Sequence, residues 1–210
     1  MSIIARQFAH PHGLLGRVIG QGMARLNADF SRWVIQEVGE HCQGDLETIA
    51  ELGPGPGVGL QEALRRFRGA QVWGIDPSLV MLAQSRKRNL ADVQAGRRAL
   101  VQGSVACLGE IAPLDAVVAN HVLYFWHQPG DELTAIHGCL RQGGLLALGY
   151  QLKQNMPPIA QKHFPQQGHL LYESDEDLTR LPRSAGLSAV SHQVKGPPAA
   201  PQGRVALATA

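Results

Sequence analysis

Seven residues constrain this chain more than any others: Glu51-Leu52-Gly53-Pro54-Gly55-Pro56-Gly57. Thr48 to Leu52 is a short apolar run that reads as a strand, and Val58 to Phe67 has the spacing of a helix. The loop between them therefore has the strand-to-helix setting of a ligand-binding glycine loop. Glycines at 53, 55 and 57 let the backbone turn tightly and approach a ligand closely. The spacing narrows the ligand. A dinucleotide loop, GxGxxG, counted from Gly53 needs glycine where Val58 stands, and counted from Gly55 needs it where Leu60 stands. No Gly-Lys-Ser/Thr follows, so a phosphate-cradling P-loop is excluded as well.

Two carboxylates flank the loop. Glu51, at the strand end, would repel a pyrophosphate but suits a cation such as the ammonium of a methionine moiety. Its other reading is a surface glutamate that satisfies a loop. Asp76 closes the next strand, Ala70 to Ile75, 19 residues after Gly57. A carboxylate there can accept hydrogen bonds from both hydroxyls of a ribose. Before Pro77 it is also an ordinary turn former. Met81 and Leu82, on the helix Ser78 to Asn89, are placed to pack on an adenine face or in the core.

The rest of the chain continues the alternation. Ala99–Gln102, Leu114–Ala119 and Leu145–Tyr150 read as strands, and Asp131–Leu140 as a helix stopped by Gly143-Gly144. Near-continuous apolar strands between helices mean a parallel sheet covered on both faces, a doubly wound α/β fold. Asp175–Leu181 reads as a helix ended by Pro182. Leu187–Val194 and Arg204–Thr209 then read as strands with only Lys195–Gly203 between them, which requires an antiparallel pair. Residues 1–40 form a helical extension, with Leu14, Leu15, Val18, Ile19, Trp33, Val34 and Val38 at helical spacing. Residues 151–173, with Pro157-Pro158 and Pro165, read as an irregular lid on the ligand side.

Length and composition set bounds. The 210 residues suffice for a single domain, 1–210, with a full core. A net charge of +2 with nine histidines uncounted is too weakly basic to imply nucleic acid. Cys42, Cys107 and Cys139 are far apart and in no CxxC arrangement, so they read as buried thiols of a reducing compartment. Met1 to His12 lacks the apolar run of a signal peptide, and no stretch of about 18 apolar residues exists to span a membrane. The expected location is the cytoplasm. His10 and His12 have no acidic or cysteine partner nearby, so no metal is expected.

These motifs together resemble the class I S-adenosylmethionine-dependent methyltransferases, in the methyltransferase type 11 branch. The resemblance rests on Glu51 to Gly57, on Gly74-Ile75-Asp76-Pro77-Ser78 with Met81, and on Leu140-Arg141-Gln142-Gly143-Gly144 before the fifth strand. Gly13 to Arg17, with Met23, Asn27 and Trp33, is similar to small bacterial methyltransferases related to the quinone-ring C-methyltransferases. The resemblance implies a Rossmann-like seven-stranded sheet, order 3-2-1-4-5-7-6, with an antiparallel last strand. It implies S-adenosyl-L-methionine bound by Glu51, Gly53, Pro54, Gly55, Gly57, Asp76, Pro77, Met81, Gly103, Ser104, Val105, Asn120 and His121. Gln102-Gly103-Ser104 stands where the family has Gly-Asp on the adenine amine. A serine hydroxyl can still accept that hydrogen bond but carries no charge, which shifts weight to the Gly103 and Val105 backbone. The Asn-Pro-Pro-Tyr motif of base-amine methylation is absent; Asn120-His121-Val122-Leu123 stands in its place.

The expected chemistry is methyl transfer to a small molecule, aromatic or lipid-like. The sulfonium is already activated, so the protein's task is to hold the nucleophile close, aligned and dry. His121 is the first candidate base and Tyr124 the second; the other reading of His121 is a hydrogen-bond partner of the cofactor or a loop carbonyl. Tyr124-Phe125-Trp126 can wall an apolar acceptor or cap the core. His163, Phe164, His169 and Tyr172 are further acceptor-pocket candidates. Arg6, Arg17, Arg25 and Arg32 read as a solvated face or an acidic-lipid contact, with Arg25 also a candidate clamp on the cofactor carboxylate. The competing classes are a cofactor-binding protein without methyl transfer, an RNA methyltransferase and an NAD-dependent oxidoreductase.

Overall fold

The strands Ile49–Leu52 and Val117–Ala119 are buried on both faces, and apolar except at Glu51, because both faces are covered. The structure, a computed structural model, describes residues 27–42 and 44–210. The chain runs α1 (Ala28–His41), β1 (Thr48–Leu52), α2 (Val58–Arg66), β2 (Gln71–Asp76), α3 (Leu79–Arg88), α4 (Leu90–Gln94) and β3 (Arg98–Gln102). It continues through β4 (Leu114–Asn120), α5 (Pro129–Cys139), β5 (Leu140–Tyr150), α6 (Pro158–Gln166), α7 (Asp177–Ser184), β6 (Ser188–Lys195) and β7 (Gly203–Thr209). Single-turn 3-10 segments follow β4 and β5, and a longer one, Val105–Glu110, bridges β3 and β4.

The seven strands form one sheet in the order β3-β2-β1-β4-β5-β7-β6. β1 pairs in parallel with β2 and β4, and β7 lies antiparallel between β5 and β6. This is the order and polarity that the resemblance implied. The strand order reverses between β1 and β4, so a crevice opens there at the carboxyl ends of the strands.

Side chains alternate across each strand. In β1, Ala50 and Leu52 enter the core formed with the Val105–Glu110 segment, α5 and α7. Ile49 enters the opposite core, formed with α1 and α2. Glu51 shares the face of Ile49 and is 3% exposed. The base of β4 is tied down separately: Asp115 Oδ2 accepts from the Glu47 and Thr48 N–H groups at 2.6 and 2.7 Å.

Some local expectations change. Residues 151–173 are not irregular throughout, since they contain α6. Pro158 stands in the first turn of α6, where a missing N–H is harmless and the fixed φ favours the helix. Pro182 lies inside α7 rather than ending it. Leu178 and Pro182, one turn apart, are both buried, and Ala185 N–H closes the last turn on Pro182 O at 3.1 Å. β5 starts at Leu140, not Leu145; its pairing with β4 shifts register across Gly143-Gly144. The three thiols are free and only partly buried. No described helix is long and apolar enough to cross a membrane. Val34 and Val38 are buried on α1; Leu14, Leu15, Val18, Ile19, His10, His12, Arg6, Arg17 and Arg25 lie outside the described residues.

Candidate functional site

A cleft of about 370 Å³ opens over the carboxyl ends of β1, β2, β3 and β4. From the loop after β1, Gly53, Pro54 and Gly55 line it together with Glu51. Asp76, Pro77 and Met81 come from the end of β2 and the start of α3, Gly103 to Val105 from the end of β3, and Asn120 and His121 from the end of β4. The structure thus brings together all the expected cofactor residues except Gly57.

The glycine loop is built by local conformation. Gly53, Gly55 and Gly57 all have positive φ, at 61°, 53° and 80°. A Cβ at Gly53 would stand 2.5 Å from Val122 Cγ2, whereas one at Gly55 would meet nothing within 4 Å. Gly55 therefore faces open space in the cleft. Gly57 sits behind the loop: its carbonyl accepts from Asn89 Nδ2 at 3.1 Å, and a side chain there would run into Ser85.

Asp76 is held in two directions. Its Oδ2 accepts from Gly55 N–H at 3.0 Å and its Oδ1 from Ser78 N–H at 2.8 Å. Glu51 is less well satisfied. It accepts a hydrogen bond from the Leu60 backbone, while its Oε2 is buried with no partner among the described residues. Burial raises its carboxyl to about 8; Arg98 opposes the shift and Asp76 adds to it. Arg98 is itself buried and bonded to the Ser85 carbonyl and hydroxyl.

The end of β4 carries the candidate base His121. His121 has φ 57°, rare for a residue other than glycine, and its N–H donates to Gly149 O at 2.8 Å. Its ring lies 4.7 Å from Phe30 and 6.2 Å from Tyr124 by centroids. Burial lowers its pKa to about 4, so the imidazole is neutral near pH 7. Asn120 Nδ2 donates to Ser31 Oγ at 3.1 Å, which ties β4 to α1. Tyr124 does not line the cleft. Its hydroxyl accepts from Gln151 N–H at 2.5 Å and donates to Gln151 O at 3.2 Å, and burial pushes its pKa upward.

Several cleft residues escaped the sequence reading. Ser31, with Asn27, comes from the start of α1; His127 and Glu132 follow β4. Ser31 reaches the site across 89 positions of sequence, and no local pattern marks such a contact. Phe125 and Trp126 line the cleft, whereas His163, Phe164, His169 and Tyr172 do not. Phe164 and His169 pack on Phe125 instead, tilted and edge-on, with centroids at 5.5 and 4.9 Å.

Residues 50–148 match the family described as methyltransferase domain. The uncharacterized methyltransferase YdaC of Bacillus subtilis (strain 168) is 30% identical over 156 residues, covering 71% of this chain and 80% of that protein. The chain belongs to the class I S-adenosylmethionine-dependent methyltransferases. Trans-aconitate 2-methyltransferase of Azoarcus sp. (strain BH72) is 31% identical over 104 residues, 50% of this chain and 39% of that enzyme. An O-methyltransferase family protein from Burkholderia thailandensis shares the fold, with TM-score 0.74 at 18% identity over 98% of this chain. The chain spans 62% of that structure and 39% of the Azoarcus enzyme, under two thirds of either.

S-adenosylmethionine is the cofactor of this methyltransferase, and the residues present fit it. Glu51 lines the cleft with a buried carboxylate whose Oε2 has no hydrogen-bond partner among the described residues, a group that suits a cation. The open side of Gly55 leaves a cradle that any side chain would fill. Met81 and Val105, both buried, offer apolar walls for a flat base.

Proposed function

We propose that this methyltransferase methylates a small-molecule acceptor held over the end of β4. The observation that carries this reading is the continuity of one cleft. It runs from the Glu51, Gly55 and Asp76 side to an aromatic end at Phe125 and Trp126, with neutral His121 between them. Relatives named trans-aconitate 2-methyltransferases support a small acceptor.

The bound cofactor supplies an activated methyl group on a sulfonium. The chain supplies position. Glu51 takes the ammonium, Asp76 the ribose hydroxyls, and Gly103, Ser104 and Val105 the edge of the base. Phe125 and Trp126 exclude water from the acceptor, which strengthens every polar contact beside them. A neutral His121 ring nitrogen can accept a hydrogen bond from an acceptor hydroxyl. With a pKa near 4 it is a weak base, so its main work is orientation. The segment 151–173 closes the acceptor end from behind: Leu170 N–H donates to Tyr124 O at 2.9 Å, and Lys153 N–H to Tyr172 O at 2.8 Å.

Incubation with methyl-labelled S-adenosylmethionine and a cell extract separates the readings. Label is expected in a small molecule identified by mass spectrometry. Label confined to RNA would contradict the proposal.

A further inference from the structure

Once the four strand-end loops are assigned to the cofactor, one charged residue of the cleft is left without a task. Glu132 lies in the first turn of α5 beside Asp131. Either acid there suits the helix dipole, so the dipole does not explain why they differ. Asp131 is exposed, whereas Glu132 is half-buried and lines the cleft. Glu132 Oε2 is buried and has no hydrogen-bond partner among the described residues. An unpaired buried carboxylate oxygen is costly, so a donor that reaches the Glu132 carboxylate is favoured.

The surroundings say what kind of donor. Glu132 shares the cleft with Phe125, Trp126 and His127, the lining residues that follow the end of β4. Its charge is felt by Tyr172 of the 151–173 segment, whose hydroxyl is also buried and unpartnered. That places Glu132 toward the segment behind the acceptor end. The described lining residues carry carboxylates at Glu51, Asp76 and Glu132, imidazoles at His121 and His127, and no lysine or arginine. With Glu51 and Asp76 given to the cofactor, Glu132 is the remaining carboxylate among the described lining residues, and its charge favours a cation. An ammonium has three N–H donors and no acceptor, matching a carboxylate without a partner. A cation beside aromatic walls gains further from the ring faces.

We propose that Glu132 anchors the methyl acceptor, and that the acceptor is an amine whose ammonium meets this carboxylate while its apolar frame packs on Phe125 and Trp126. The inference rests on the methyl-transfer reading and narrows its substrate class. A polycarboxylate acceptor would meet repulsion from the same carboxylate.

The test uses the full chain saturated with S-adenosylhomocysteine and matched probe pairs: benzylamine against benzoate, phenethylamine against 3-phenylpropionate, tryptamine against indole-3-propionate. Calorimetry should show at least one amine binding tenfold or more tighter than its carboxylate partner. Glu132→Gln should lose tenfold or more of amine affinity, Glu132→Lys should reverse the preference, and both should hold S-adenosylhomocysteine within about twofold of wild type. Equal affinities within every pair, or no probe binding to a protein that holds S-adenosylhomocysteine, overturns the inference and leaves methyl transfer standing. A tenfold loss of S-adenosylhomocysteine affinity in Glu132→Gln also overturns it, because Glu132 then serves the cofactor. Failure of wild type to bind S-adenosylhomocysteine overturns the underlying reading as well.

Discussion

Gly55 N–H donates to Asp76 Oδ2 across 3.0 Å, so the glycine loop after β1 and the carboxylate at the end of β2 form one unit. The same carboxylate holds Ser78 N–H, at the start of α3, at 2.8 Å. The two halves of the proposed cofactor cradle are thus set before a ligand arrives, which lowers the ordering cost of binding.

Asp76→Asn keeps the shape but loses the charge and replaces one acceptor oxygen with an amide donor. It should weaken S-adenosylhomocysteine roughly 10- to 100-fold, the size of one or two charge-assisted hydrogen bonds. Titration calorimetry on a variant with an unchanged melting temperature checks this; affinity within twofold of wild type would remove Asp76 from the site.

With Glu51 proposed to meet the cofactor ammonium, cofactor binding should depend on pH. Its carboxyl, raised to about 8 by burial, is protonated at pH 6, but an ammonium needs it ionised. Binding must therefore expel a proton. Affinity should rise roughly tenfold per unit between pH 6 and about 8, then level off, and Glu51→Gln should flatten the slope. For the ligand-free fold the sign is opposite. The folded value lies above the ordinary carboxyl value of 4.5, so this contribution to stability falls as pH rises through about 8.

His121 separates binding from turnover. His121→Asn keeps a residue that tolerates the left-handed backbone at φ 57° while removing the ring from Phe30. S-adenosylhomocysteine affinity should fall less than tenfold, whereas kcat with an identified acceptor should fall about 100-fold, as for a lost orienting contact. The pH profile of kcat should show no break near 6.5, since the ring titrates near 4.

A polar network behind the acceptor end should carry stability. Tyr150 Oη donates to Asp175 Oδ1 at 2.6 Å and lies 2.8 Å from His192 Nδ1, and Arg204 Nη1 donates to Asp175 Oδ2 at 2.8 Å. These contacts fasten β5 to β6, β7 and the approach to α7. Tyr150→Phe leaves His192 and Asp175 each short of a bond and should cost about 1–3 kcal/mol in urea denaturation. Cofactor affinity should not change.

The sequence was most informative where function needs particular backbone. The glycine spacing, with Glu51 before it and Asp76 after it, identified the loop, because glycine and strand-end carboxylates leave local marks. The alternation of apolar strands and helices carried the sheet, and the short Lys195–Gly203 link carried its antiparallel end. Proline misled at Pro158 and Pro182, because its effect depends on whether it starts a helix or is buried in the last turn. Ser31 and Glu132 were invisible as site residues, since only the assembled sheet carries α1 and α5 to the mouth of the crevice. Tyr124 looked available in sequence, but the backbone of Gln151, 27 residues later, occupies its hydroxyl.

The central claim is that the cleft over β1, β2 and β4 holds S-adenosylmethionine. Calorimetric titration of the wild-type chain with S-adenosylhomocysteine, and separately with NAD, tests it most directly. Saturable binding of S-adenosylhomocysteine at one site per chain, with no heat from NAD, is the predicted result. Binding of NAD in its place, or of neither, would contradict it.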